Sequence, residues 1–182
     1  MEKPVWRVRS SRYVIESRHM RLRVDEIELP DGTIVPEYFV REGSGFVSML
    51  PLTDDGRAVL VRQYRYGADT MTLELPAGSI DRDETPAACA ARELAEETGF
   101  EAERWELAAS YAVEPVRSSA RAHVFVAFGA RLTGQQNLDV TEHLSVELVE
   151  LAELRSMLKD GRIDPGSSLI AGYRALDYLG KL

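Results

Sequence analysis

The sequence predicts one mixed α/β domain carrying a short all-β segment at its N-terminal end. Three observations lead there: β-favouring runs separated by Asp-Gly turns between positions 12 and 65, one long helical pattern over 84–99 with a cap at each end, and two further helical patterns closing the chain. A length of 182 residues allows one compact domain with a small appendage. The composition, 45% hydrophobic against 29% charged, excludes disordered and fibrous classes.

The first runs are Arg12–Glu16, Leu22–Leu29 and Thr33–Val40, the last two joined by Pro30-Asp31-Gly32, a hairpin signal. They carry few large apolar residues, so this segment is expected to lean on the rest of the chain or on a second subunit. Arg41–Gly45 reads as the join, which divides the chain into a segment over 1–43 and a main domain over 44–182. Strands are then expected at Phe46–Leu50 and Ala58–Arg65 around the turn Asp54-Asp55-Gly56, with Ala58–Val61 apolar enough to be covered on both faces. Further strands follow at Met71–Leu75, stopped by Pro76, and at Trp105–Ala112, Ala122–Ala127 and Ser145–Leu151. Helices are expected at Leu151–Leu158 and Ser167–Leu179, separated by Gly161 and Pro165.

Charge and sulfur content narrow the function classes. Asp plus Glu number 30 against 22 Lys plus Arg, a net charge of −8, which argues against a nucleic-acid partner because phosphate contacts dominate that kind of affinity. The one cysteine, Cys89, can form no internal disulfide and reads as a small packed residue. No apolar run approaches the roughly 20 residues needed to cross a bilayer. The stretch Met1–Trp6 also lacks the apolar core of a signal peptide. The expectation is a soluble cytoplasmic protein with no membrane partner.

The central helix carries the chemistry. Thr85 can cap its start, Pro86 suits the first turn, and Gly99 supplies the left-handed residue at its end. Glu93, Glu96 and Glu97 stand at i, i+3 and i+4 and so share one face, while Ala88, Ala91, Leu94 and Ala95 are expected on the opposite, packed face. On that reading the acidic face is presented to solvent. Three like charges in one arc repel, and Arg92, four residues before Glu96, can pair with it but cannot neutralise all three. Either the face is simply solvated, or a hard divalent cation such as Mg²⁺ takes these oxygens as ligands.

The flanking residues complete a pattern: Gly78-x5-Glu84-x7-Arg92-Glu93-Leu94-x-Glu96-Glu97-x-Gly99-Phe100. This resembles the Nudix box, with every defining position filled. A chance match of its seven fixed and two apolar positions in such a chain is on the order of 10⁻⁷. The resemblance to Nudix hydrolases implies an α/β/α sandwich in which Glu93 and Glu97 bind Mg²⁺, with Mn²⁺ a possible substitute and Glu96 close by. By the same resemblance Arg92 orients these carboxylates, Gly78 permits the loop before the helix, and the main-chain carbonyl of Ala77 can be a further ligand. The reaction implied is cleavage of a nucleoside diphosphate linked to another group.

Segments outside the box resemble one branch of the family. Val61-Arg62-Gln63-Tyr64-Arg65, Leu73-Glu74-Leu75-Pro76-Ala77-Gly78 and Gly161-Arg162-Ile163-Asp164 are similar to ADP-ribose pyrophosphatases and nucleoside-diphosphate-sugar hydrolases. In that branch the N-terminal sheet is exchanged between two subunits of a homodimer. The likeness places Arg65 on the substrate phosphates, Glu74 in the metal or substrate environment, and Arg62 among the substrate-binding residues. The plain readings of Arg65 and Glu74, a surface strand charge and an ion pair at the core edge, remain open here. Pro115 stands where ADP-ribose-preferring members carry a proline, but Val116 follows it instead of Gly. The sugar therefore stays open, and Arg117 and Arg121 could hold an anionic terminus or be solvated loop residues. Glu142 matches a loop Glu that serves as general base, although a box residue such as Glu96 could do the same. A small nucleotide-sugar substrate is the partner expected. The alternatives are a pyrophosphohydrolase of dinucleoside polyphosphates or nucleoside triphosphates, and a non-catalytic ligand-binding module of the same fold; the complete carboxylate set argues for the hydrolase.

Overall fold

A computed structural model describes residues 5–182; Met1–Pro4, part of the stretch judged free of a signal peptide, lie outside the described residues. The chain forms two compact units. One joins the N-terminal segment up to Gly45 with Ala112–Arg121, and the other holds Phe46–Tyr111 and Ala122–Leu182. The join at 43–45 is where the sequence puts it, but the second stretch of the first unit comes from far along the chain. Nothing local in 112–121 signals that membership.

The first unit is an antiparallel sheet of β1 (Arg7–Glu16), β2 (Arg21–Glu28) and β3 (Ile34–Glu42) in that order. The turn between β2 and β3 closes through the Gly32 N–H donating to the Leu29 carbonyl at 2.9 Å, as the Asp-Gly signal requires. Asp25, only 3% exposed, accepts from the Ser11 hydroxyl at 2.6 Å and from Arg23 Nε, so its charge is fully partnered. Residues 112–121 attach to β3 by a main-chain bond, the Arg41 N–H donating to the Arg117 carbonyl at 2.8 Å, and by the Tyr38 side chain, whose hydroxyl donates to the Val116 carbonyl.

In the second unit β4 (Phe46–Leu52), β5 (Arg57–Arg65), β6 (Thr70–Glu74), β7 (Ala77–Ser79), β9 (Arg104–Ala112, its last residue in the first unit), β10 (Arg121–Phe128, its first residue likewise) and β12 (Leu144–Glu150) build a mixed sheet. Its main path runs β12-β5-β4-β10-β9, with β6 on β5 and β7 on β4. The parallel pair is β4 with β10. Two short strands, β8 (Phe100–Glu101) and β11 (Arg131–Leu132), pair apart from it. Helix α1 (Pro86–Thr98) covers one face, where Val47, Met49, Val59, Cys89, Ala90 and Leu94 pack together. Helices α2 (Leu151–Asp160) and α3 (Gly166–Tyr178) cover the other, over Leu50, Leu60, Leu73, Leu154, Ile163 and Leu176. This is the α/β/α sandwich. Ala58–Val61 is covered on both faces, each residue at 0% exposure, as the unbroken apolar run requires.

Helix α1 begins and ends as its sequence dictates. The Thr85 hydroxyl accepts from the Ala88 N–H at 3.2 Å, Pro86 opens the first turn, and Gly99 sits at φ 73°, a left-handed value that only glycine adopts without strain. Its buried stripe differs from the expected one. Cys89, Ala90, Leu94, Glu97 and Thr98 are buried, whereas Ala88 and Ala91 are exposed. Alanine is small enough to sit on either side of a helix, so Leu94 and the neighbouring short strand decide the rotation. Thr85→Ala is expected to lower the unfolding free energy by about 1 kcal/mol, read as a shift in denaturant midpoint at unchanged slope.

Candidate active site

The rotation of α1 turns one of its glutamates inward. Glu97 is 3% exposed, which corrects the expectation of a fully presented acidic face. Its carboxylate accepts from the Ala77 N–H at 3.1 Å. Ala77 is held there because β7 pairs with β4, Ser48 opposite Ala77 and Val47 opposite Gly78. Gly78 keeps the Glu93 carboxylate in place for a steric reason. A Cβ on it would stand 1.8 Å from the carboxyl carbon of Glu93 and 2.1 and 2.3 Å from its oxygens. The missing side chain is the space in which the Glu93 carboxylate lies.

Arg92 organises the outer side. Its Nε and Nη2 grip Glu84, each at 2.9 Å, while Nη1 reaches Glu93 at 2.8 Å and Glu96 at 2.9 Å. The grip holds the Glu84 carboxyl down at about pKa 2 and raises Arg92 well above its usual value. Glu97 receives no such partner. Burial outweighs the Ala77 N–H and, with weaker repulsion from Glu93 and Glu142 against a small pull from Arg65, pushes its pKa up to about 8. Burial also raises Glu93, against the pull of Arg92. Beneath the helix, burial drives the Cys89 thiol up to about 12, and its Sγ donates to the Ser79 carbonyl at 3.4 Å, so it acts as a packed and inert residue.

Arg65 and Glu74 meet as a two-pronged pair, Nε and Nη2 donating at 2.8 and 2.7 Å. Burial pushes Glu74 up, but Arg65 and the Thr72 hydroxyl, donating at 2.5 Å, outweigh it and leave its pKa below the ordinary value. This is the core-edge ion pair of the plain reading, and it sits beside the glutamates, since both Glu97 and Glu142 act electrostatically on Arg65. Arg62 goes elsewhere. Successive strand residues face opposite ways, so Arg62 shares the α2/α3 face of β5 with Leu60 and pairs with Glu147 of β12. Glu142 lies near enough to raise both Glu93 and Glu97, and its carboxylate accepts from the Asp139 N–H at 2.9 Å. Pro115 and Arg117 belong to the other compact unit.

Thr72 was detectable in the sequence, because two-residue spacing puts it on the same strand face as Glu74. Gln136, whose side-chain amide donates to the Glu97 carbonyl at 2.6 Å, lies in a loop with no periodic signal.

Among the described residues no three acidic, imidazole or thiol side chains are gathered as a ready-made metal cage. The donor set still suits a hard divalent ion of the Mg²⁺ kind, which takes one or two carboxylates and completes its shell with water and substrate phosphate. Glu93 and Glu97 could supply those two, and a cation would relieve the undercompensated charge of buried Glu97.

Residues 46–169 match the family model described as NUDIX domain. The chain belongs to the Nudix family. Nudix hydrolases generally use divalent metal ions such as Mg²⁺. Residues 6–40 match a second model, nucleoside diphosphate sugar hydrolase N-terminal domain. The chain is 33% identical to the methanol dehydrogenase activator of Bacillus methanolicus over 87% of its own length and 85% of that protein. It is 28% identical to the ADP-ribose pyrophosphatase of Bacillus subtilis strain 168, covering 82% of this chain and 81% of that one. A solved structure titled as an ADP compounds hydrolase superposes with a TM-score of 0.83 over 100% of this chain and 98% of that chain at 23% identity, which shows the shared Nudix fold.

The raised Glu97 pKa sets a sign for stability. Between pH 4.5, its ordinary value, and about 8, the folded protein holds a proton that the unfolded chain has released. Metal-free protein in chelator is therefore expected to lose stability as pH rises through that window and to level off above it. Glu97→Gln should flatten the slope, as followed by thermal unfolding across pH.

Proposed function

We propose that this Nudix protein hydrolyses the diphosphate of ADP-ribose or a related nucleoside diphosphate sugar, releasing a nucleoside monophosphate and a sugar phosphate. The observation that carries the reading is the joint occurrence of the inward-turned Glu93 and Glu97 carboxylates and an N-terminal segment matching the nucleoside diphosphate sugar hydrolase model. The name of the Bacillus subtilis relative points the same way.

Mg²⁺ or Mn²⁺ held by Glu93 and Glu97, with Glu96 and the Ala77 carbonyl at hand, would neutralise the diphosphate and make its phosphorus more electrophilic. Glu142 takes the proton of the attacking water as the new oxygen–phosphorus bond forms and the bridging bond breaks. Its place in a loop near both box glutamates supports this role over Glu96, which Arg92 holds. Arg92 fixes the rotamers of Glu93 and Glu96, so the ligands need little reorganisation. Glu74 occupies the Nε/Nη2 edge of Arg65 and thereby orients the rest of the guanidinium for a phosphate oxygen.

The protein works as a homodimer that exchanges its N-terminal sheet. Every residue of β1 is exposed, including Val8 at 60%, Tyr13 at 41% and Ile15 at 43%, and a second copy would cover them. A cytoplasmic location fits the single reduced thiol; among the described residues no helix is long and apolar enough to cross a membrane.

A panel of ADP-ribose, other nucleotide sugars and nucleoside triphosphates with Mg²⁺ should show turnover of the nucleotide sugars. Strong triphosphate hydrolysis without any on nucleotide sugars would overturn the assignment. Glu142→Gln is expected to lower kcat by about 10²- to 10⁴-fold with KM and metal affinity little changed, measured by steady-state kinetics. Light scattering should give twice the 20.3 kDa chain mass; a monomer would remove the exchange.

A further inference from the structure

The carboxyl end of α1 leaves main-chain carbonyls without helical partners, as any helix does. One segment supplies the donors. The Gln136 side-chain amide donates to the Glu97 carbonyl at 2.6 Å and the Asn137 N–H to the Glu96 carbonyl at 2.9 Å. The Thr133 and Gly134 N–H groups share the Gly99 carbonyl at 3.0 and 3.1 Å. The same loop then turns through Asp139, whose carbonyl accepts from the Glu142 N–H at 2.9 Å, and delivers Glu142.

The segment is anchored at its two ends, by β11 on β8 with Arg131 paired to Asp54 and Glu103, and by Leu144 opposite Gln63 where β12 begins. Residues 131–137 are all exposed, and a groove of about 710 Å³ bordered by Thr98, Leu132, Leu144 and Leu148 opens beside them. Between those anchors the exposed stretch 133–137 has little buried apolar surface, and hydrogen bonds to the end of α1 fix its position. Gln136 makes the one side-chain bond among them, and it lands on Glu97, a ligand in the proposed cation site.

We propose that Gln136 is a positioning residue: its amide latches the Glu142 loop to the helix that carries Glu93 and Glu97, so that proton acceptor and metal ligands are held in one frame. This rests on Glu142 being the general base. Gln136→Ala removes the latch, and Gln136→Glu keeps its shape but replaces the donor with an acceptor. A net neutral hydrogen bond changes an equilibrium by about five- to tenfold, so both variants should lower kcat by about that factor while KM for the nucleotide sugar and the Mg²⁺ dependence stay near wild type.

A double-mutant cycle identifies the route of the effect. In a Glu142→Gln background Gln136→Ala should cost nothing further. An equal loss in both backgrounds, or no loss in either, would overturn the proposal. Native-state hydrogen exchange reads the latch without using activity: the Asn137, Asp139 and Glu142 amides should lose about five- to tenfold protection in Gln136→Ala, and unchanged protection would overturn it. Near-normal turnover by Glu142→Gln alone would instead remove Glu142 as base; the latch would then stand or fall on exchange, but its catalytic role would fall.

Discussion

The carboxylate of Glu97 is held out of water by its own helix, with one main-chain N–H from Ala77 to accept from and two further carboxylates, Glu93 and Glu142, close enough to repel it. Ionised and uncompensated, a group in that position carries a desolvation cost of order several kcal/mol. Protonation or a cation relieves it. The neighbouring structure keeps both routes open: β7 is pinned to β4 so that the Ala77 N–H faces the helix, and Gly78 leaves room for the Glu93 carboxylate. The local fold is arranged around a negative charge that the protein alone does not neutralise.

Two arginines frame this site in different ways. Arg92 binds Glu84, Glu93 and Glu96 together, which removes most of the repulsion along the helix and explains why so acidic a helix folds. It does not reach Glu97, which keeps only the Ala77 N–H and a weaker pull from Arg65. Arg65 is tied to Glu74 on the adjoining hairpin, and that pair stiffens a cation on the rim of the site. A diphosphate bound there, as proposed, would meet fixed positive groups although the whole chain carries a net charge of −8. The overall acidity argues against long polyanions and leaves a small one acceptable.

Much of the site was legible because its chemistry is written locally. The spacing of Gly78, Glu84, Arg92, Glu93, Glu96 and Glu97 sits within one loop and helix, and Thr85 and Gly99 mark that helix at both ends. What depended on tertiary packing was not. The alanines of α1 did not reveal which side faces the sheet, so the burial of Glu97 went unread. Arg62 and Arg65 look alike in sequence, and the strand pleat sends them to opposite faces. The strand β7 is three residues long and carries no periodicity. Residues 112–121 join the first unit through bonds from β3 to their main-chain carbonyls, which their own side-chain pattern does not encode. Gln136 acts on a carbonyl thirty-nine positions away, and a polar loop residue gives no sign of such a partner.

The direct measurement is a Mn²⁺ titration followed by electron paramagnetic resonance, comparing wild type with the Glu93→Gln/Glu97→Gln double variant after confirming that both are folded. Wild type should take up Mn²⁺ saturably, Mg²⁺ should compete for it, and the double variant should lose that uptake. Equal Mn²⁺ binding by the two proteins would contradict the assignment of these two carboxylates as the cation site.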